Sequence, residues 1–433
     1  PKGGLGDLEP EQIVKVEKGV FGLADSPRSW WAKFRRGVDD MVINHEGKEF
    51  KFFQCAMDGC VFLLQEVRAD GTKGKPMAYA AVHVDDIMVV GPKKFKELVE
   101  EAFTEKFPVE DWETDFFEYV GSVVKVEGKE VRVTQAHYTE SRLFTIDIDS
   151  HQEDNDEATE EQKADNQSLV GALGWLATQS RPDLQVGVSM CQQLQKSPKV
   201  SDLKFTNTLA RRAAQHKDCG ITLVGIPETE QIIVSYHDAG WANAPQDPED
   251  PLFSLTPSDE SAGRIDCGPF KGGGRKAKRS TSSIASQLGV ITFLTDRRLL
   301  QGQPRRLSLW DWKSHACARV CRSTFAAETM GCAEALESSQ YLRSFYESMV
   351  SGKLVRLEDG SLEIKLVTDC RSLYDFLTRE GMPRILQDRR LGIDLAAIKQ
   401  EMRREGAKLK MFWTPTGEQM ADILTKPKRA GDW

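Results

Sequence analysis

Four carboxylates in the second half of the chain are spaced as the ligands of one metal site could be. Asp238 follows the alternating run IIVSYH, Glu328 opens the long helical pattern STFAAETMGCAEAL, Asp369 follows the apolar run LEIKLVT, and Asp422 lies past KLKMFWTP. Strand ends and helix starts of one α/β domain can converge at one edge. Four convergent carboxylates repel one another unless divalent cations neutralise them. That is the electrostatic logic of two-metal phosphodiester cleavage, in which one ion activates the attacking water and the other stabilises the leaving oxygen. Taken singly, an Asp is more often the residue of a cap or a turn.

A second acidic feature is His83-Val84-Asp85-Asp86, set between AYAAV and IMVVG. Adjacent carboxylates between strand runs belong either at an exposed hairpin turn or on a cation. Basic residues are also grouped: Lys271, Arg275, Lys276, Lys278 and Arg279 in one cluster, Arg297, Arg298, Arg305 and Arg306 in another. The net charge is −8, with the acidic excess concentrated between Asp147 and Asp165. A basic stripe on an acidic chain suits phosphate binding, and it suits a solvated loop equally.

These residues need elements to position them. At 433 residues, 40% hydrophobic and 29% charged, the chain has material for two or three domains with their own cores. Its longest apolar runs are strand-sized, which predicts no membrane partner. The start, PKGGLGDLEPEQ, has neither the basic end nor the apolar stretch of a signal peptide, and its missing Met suggests a processed or truncated product. Nine cysteines in such a length point to a reducing compartment. Cys55 with Cys60, and His315 with Cys317 and Cys321, lack a second paired cluster at zinc-finger spacing and read as free thiols.

The first part, to about residue 146, reads as α/β. An aromatic-rich helix surrounds Trp30, Trp31 and Phe34, and strands run through KFFQCAMDGCVFLLQEV and PMAYAAVHVDDIMVVG. The helix PKKFKELVEEAFTEKF follows, then a hairpin turning at Glu127-Gly128. Residues 147–168, almost without apolar side chains, read as an acidic mobile linker. Residues 169–230 hold two helices, the first broken near Pro182, and the start of a strand at ITLVGIP. From Gln231 strands and helices alternate to the end. Ile232, Val234, Tyr236 and Asp238 share a strand face, Ser323 or Thr324 caps the long helix, and residues 244–279 form an inserted loop.

The ordered motifs resemble those of copia-type LTR retrotransposon Pol polyproteins. KGVFGLADSPRSWW, HVDDIMVVG, VTQAHYTESRL and LVGALGWLATQSRPDLQVGVS are similar to reverse-transcriptase and connection segments. YHDAGWA, RSTSSIASQLG, STFAAET, VTDCRSL and TPTGEQMADILTKP are similar to ribonuclease H segments. The resemblance implies a multidomain α/β and α+β fold: a partial palm and thumb, a helical connection, and a ribonuclease H-like mixed sheet with flanking helices. It implies that Asp85 and Asp86 hold polymerase metal ions, and that Gly22, Pro27 and Arg28 flank template and nucleotide. Asp238, Glu328, Asp369 and Asp422 would be the ribonuclease H carboxylates, with Mg2+ or Mn2+ as cofactor. The implied partners are an RNA–DNA hybrid, a template–primer and the remainder of a Pol polyprotein. The expected location is intracellular, in a cytoplasmic particle or the nucleus.

The chain departs from the family pattern at several points. His83 replaces the usual Tyr or Phe, and the palm's first catalytic Asp would precede residue 1, so polymerisation needs a segment supplied from elsewhere. The final segment lacks the His that many ribonucleases H place before the last Asp. These departures leave room for the alternative of a non-catalytic, nucleic-acid-binding remnant.

Overall fold

Hydrophobic residues at period two build the sheets of this protein, and those at period 3.6 build the helices that cover them. The computed structural model describes residues 23–244, 285–379 and 388–426. They form two compact units, one running to Trp112 and including Ser348–Leu354, the other made of Glu113–Glu347 and the chain from Val355 onward.

In the first unit, helix α1 (Ser26–Asp39) and helix α2 (Lys93–Lys106) pack on a five-stranded antiparallel meander. Its strands are β1 (Val42–His45), β2 (Lys48–Gln54), β3 (Val61–Val67), β4 (Lys73–His83) and β5 (Asp86–Val90). Phe34, Val38, Phe52, Phe62, Val99 and Phe103 form the core. Pro27 sits in the first turn of α1, where its missing N–H costs no hydrogen bond.

The second unit begins with strands β6 (Phe116–Tyr119), β7 (Ser122–Glu127) and β8 (Glu130–Thr134). Glu127 pairs with Glu130, so Gly128 and Lys129 make the turn, one position later than the sequence suggests. Helices α3 (Ala136–Arg142), α4 (Glu160–Gln179), α5 (Gln185–Gln193) and α6 (Val200–Gln215) follow. Strand β9 (Gly220–Val224) then closes the sheet β6-β7-β8-β9.

One sequence expectation is corrected here. Residues 160–168 of the expected linker are the first turns of α4, because Thr159 and Gln162 form a reciprocal capping box. Glu160 and Glu161 lie in that first turn, where negative charge suits the helix dipole. The helix-start signal is the Thr159–Gln162 pair with its acidic first turn, not the low apolar content. The strand expected at ITLVGIP is present as β9, paired with β8.

The next sheet has the order β12-β11-β10-β13-β14. Its strands are β10 (Gln231–Ala244), β11 (Ala285–Asp296), β12 (Ser308–Ala316), β13 (Glu363–Thr368) and β14 (Leu409–Trp413). The first three pair antiparallel, whereas β13 and β14 run parallel to β10 and to each other. Helices α7 (Thr324–Ser351), α8 (Arg371–Thr378) and α9 (Arg389–Glu405) complete the fold. Ile233, Leu288, Val290, Leu336, Ile364, Leu366 and Leu395 form its main core, and Ile291 and Phe293 pack with Ala421 and Leu424 in another cluster. All twelve residues of β11 are buried, which is the mark of a strand covered on both faces.

Candidate metal-binding active site

β10 and β13 pair parallel from Ile232 to Tyr236, and just past that stretch each carries an Asp; Asp238 lies inside β10, which runs on to Ala244, not at the strand end that the sequence suggests. Asp238 lies on β10 opposite Gly289 of β11. Asp369 immediately follows β13. The third carboxylate, Glu328, comes from α7, whose first turn is capped by Ser323 Oγ accepting from Ala326 N at 3.1 Å. Glu328 therefore lies one turn further in than the sequence suggests.

One oxygen atom from each of Asp238, Glu328 and Asp369 falls within 4.8 Å of the other two, and they are the group of this kind among the described residues. Asp238 and Glu328 are buried, at 5% and 4% exposure. Burial pushes both carboxyls up, most strongly for Glu328, and the neighbouring carboxylates push the same way. Against this, Thr425 Oγ1 donates a hydrogen bond to Asp238 Oδ2, and the Lys426 charge favours the ionised form. Glu328 Oε2 is buried with no hydrogen-bond partner among the described residues. A buried, unpartnered oxygen facing two more carboxylates fits a cation ligand better than a structural polar group. The donor set is all oxygen, the choice of hard divalent cations.

Asp422 is buried beside this group, in the 3-10 turn Met420–Leu424, and its Oδ1 accepts from Lys426 Nζ. The turn is tied back to β10 by Gln419, whose Nε2 donates to His237 O at 2.9 Å. His237 is fully buried and burial lowers its pKa to about 3, so its ring is neutral. Three of the four expected carboxylates are thus brought together. The fourth is adjacent and ion-paired.

Sequence reading missed Gln419, Thr425, Lys426 and Gly289. A Cβ on Gly289 would stand 2.8 Å from Leu424 Cβ and 3.0 Å from Ala421 O, so only glycine lets the Asp422 turn lie on β11. The ADILTK run that follows Met420 was the available signal for Thr425 and Lys426. Gly289 had none.

The other expected residues lie elsewhere. Asp85 and Asp86 are exposed at the β4–β5 hairpin, where His83 pairs with Asp86 and Val84 takes φ 54°. A β-branched residue rarely adopts that conformation. Arg28 is exposed in the first turn of α1. Gly22, the cluster Lys271, Arg275, Lys276, Lys278 and Arg279, and most of the 244–279 insertion lie outside the described residues. The second basic cluster is not an open phosphate stripe. Arg297 pairs with Glu363, Arg298 and Arg305 with Asp296, and Arg306 with Glu130.

No family model matches the chain. It is 23% identical over 261 residues to the Pol polyprotein of transposon RE1 from Arabidopsis thaliana, covering 57% of this chain and 16% of the polyprotein. For transposon RE2 of the same plant the identity is 24% over 267 residues, with the same coverage. Its homologues are retrotransposon Pol polyproteins. The chain spans about one sixth of the length of these curated relatives. Among solved structures, the foamy viral protease–reverse transcriptase in complex with an RNA/DNA hybrid aligns over 81% of this chain and 37% of its own, at 10% identity and TM-score 0.40. Ribonuclease H1 of Halobacterium salinarum aligns over 44% of this chain and 92% of its own, at 12% identity and TM-score 0.25.

Proposed function

We propose that this chain is a reverse transcriptase–ribonuclease H portion of a retrotransposon Pol polyprotein, and that its second unit hydrolyses the RNA strand of RNA–DNA hybrids. The observation that carries the reading is the buried convergence of Asp238, Glu328 and Asp369 with Asp422 alongside. Magnesium or manganese, when bound there, supplies the positive charge that activates water and stabilises the leaving oxygen.

The chain's own residues do the rest. Thr425 fixes the Asp238 carboxylate, and Trp413 Nε1 donates to Asp369 O at 3.0 Å, which holds the turn between β13 and α8. Neutral His237 packs beneath the site without adding charge, its Nδ1 3.9 Å from Glu328 Oε2. Burial removes competing water and strengthens each charge interaction.

The β4–β5 hairpin is the proposed contribution of the first unit to a polymerase site. Among the described residues Asp85 and Asp86 join no group of three metal-ligating side chains. The domain boundaries near residues 146, 168 and 230, the hybrid and template–primer partners, and an intracellular site of action belong to the same proposal.

The test is cleavage of RNA labelled at one end, presented as single strand, RNA duplex or RNA–DNA hybrid, with magnesium, manganese or a chelator. Hybrid-restricted, cation-dependent cleavage is expected. A folded protein that binds the hybrid and leaves it intact under every condition would favour the non-catalytic remnant.

A further inference from the structure

The loop from β12 to α7 brings two sulfurs together away from the carboxylates: Cys317 Sγ and Cys321 Sγ are 3.9 Å apart. Three contacts hold the loop in that shape. Cys317 N donates to Ser286 O at 2.6 Å, Arg319 pairs with Asp394 at 2.8 Å, and Trp241 Nε1 donates to Cys321 O at 2.9 Å. Cys317 is half-buried and Cys321 buried, so one sulfur meets solvent and the other waits behind it.

The chemistry of the two thiols is asymmetric. The hydrogen bond from Cys321 brings the Cys317 thiol down to about 6 against the pull of burial, helped by the Arg319 backbone and the charges of His315 and Arg319. The same contact pushes Cys321 up. Cys60 is more exposed, yet burial and Asp58 push its thiol up, and burial does the same to Cys332 and Cys370. Thiolate character and access together determine which cysteine an oxidant finds.

We propose that Cys317 and Cys321 are a site of peroxide modification, with Cys317 as the attacking sulfur and Cys321 as the resolving one, closing a reversible disulfide in the loop that enters α7. The Cys317 thiolate attacks one peroxide oxygen, the O–O bond breaks, and the leaving hydroxide takes up a proton to become water. Cys317 is then a sulfenic acid. The Cys321 sulfur attacks it, its proton leaves with the sulfenic hydroxyl as a second water, and the S–S bond forms. Closing from 3.9 Å to about 2.05 Å takes side-chain rotation within the loop. Trp241, which donates to Cys321 O, is three residues past Asp238, and Cys321 is seven before Glu328. The inference stands apart from the hydrolase reading.

The test treats the full chain with hydrogen peroxide at near-stoichiometric ratio and maps its cysteines by peptide mass spectrometry. The expected product is a dithiothreitol-reversible link between Cys317 and Cys321, two hydrogens lighter, with Cys60 and Cys219 still alkylatable. Cys321→Ser should stop at a sulfenic acid captured by a cyclic 1,3-diketone, and Cys317→Ser should leave Cys321 a thiol. A wild-type measurement guards against misfolded variants: Cys317 alkylation by iodoacetamide should rise with a midpoint near pH 6. Oxidation of Cys60 or Cys219 as fast as Cys317, a disulfide to any other cysteine, or an alkylation midpoint near 9 would overturn the proposal.

Discussion

Lys426 Nζ lies 2.5 Å from Asp422 Oδ1, an ion pair between residues four apart beside the group formed by Asp238, Glu328 and Asp369. The same ammonium also interacts with the charges of Asp238 and Asp369.

A cation that uses Asp422 must therefore compete with Lys426. Lys426→Met is expected to tighten the weaker of two manganese-binding steps by roughly tenfold, the effect of one removed competing charge in a partly buried site. Titration calorimetry or manganese spin resonance reads this without substrate. Unchanged affinities in a folded variant would show that the ion pair does not oppose the metal.

The raised carboxyls at Asp238 and Glu328 give the second unit a distinctive pH dependence in chelator. A folded-state pKa above the unfolded value means that the native chain holds protons which the unfolded chain has released. The contribution of these two groups to stability is then greatest below about pH 4, the ordinary carboxyl range, and falls as pH rises through the raised values. Asp238→Asn keeps an acceptor for Thr425 but removes the charge. It should be more stable than the wild type at pH 7 in chelator, and lose the stabilisation that manganese gives the wild type. Calorimetric melting with and without manganese checks both signs.

Deep in the second unit, Arg343 and Glu405 form a fully buried bidentate pair, at 2.9 and 2.8 Å. Burial pushes Glu405 up, yet the Arg343 hydrogen bonds and charge outweigh it and hold the carboxyl below its usual range. Glu405→Gln leaves a buried guanidinium without its counter-charge and should cost about 3–5 kcal/mol. Because the shift is downward, this contribution is present above about pH 4.5 and is lost as pH falls through the depressed value. Urea unfolding over a series of falling pH values should therefore show the difference between variant and wild type shrink as the pH drops below about 4.5.

Gly289→Ala tests the seat of the Asp422 turn. The added methyl meets Leu424 and Ala421, so an overpacking cost of about 1–3 kcal/mol is expected. Lifting the turn should weaken manganese binding more than the nearby, outward change Thr416→Ala does. Equal binding by the two variants would mean that the turn's position on β11 is not needed by the metal.

Much of this arrangement was legible in the sequence because apolar runs end abruptly in carboxylates. IIVSYHD and LEIKLVTD mark two parallel strands, with Asp238 inside the first and Asp369 just past the second, and the pattern after Ser323 marks α7. Contacts between distant segments were not legible. Gly289 matters only because the 420–425 segment lies on it, and the Arg297–Arg306 cluster looked available for phosphate until Glu130, Asp296 and Glu363 were found beside it. The acidic stretch before α4 misled for a local reason. Its polarity resembles a linker, while its Thr159–Gln162 pair is a helix cap.

The most direct measurement is single-turnover cleavage of an RNA–DNA hybrid by the wild type, Asp238→Asn, Asp369→Asn and the double variant Asp85→Asn/Asp86→Asn, with hybrid binding measured in parallel. The account predicts that Asp238→Asn and Asp369→Asn each cut at least about a thousandfold more slowly while still binding, in keeping with the loss of a metal ligand. The hairpin double variant should cut like the wild type. Undiminished cleavage by Asp238→Asn, or cleavage that depends on Asp85 and Asp86, would contradict it.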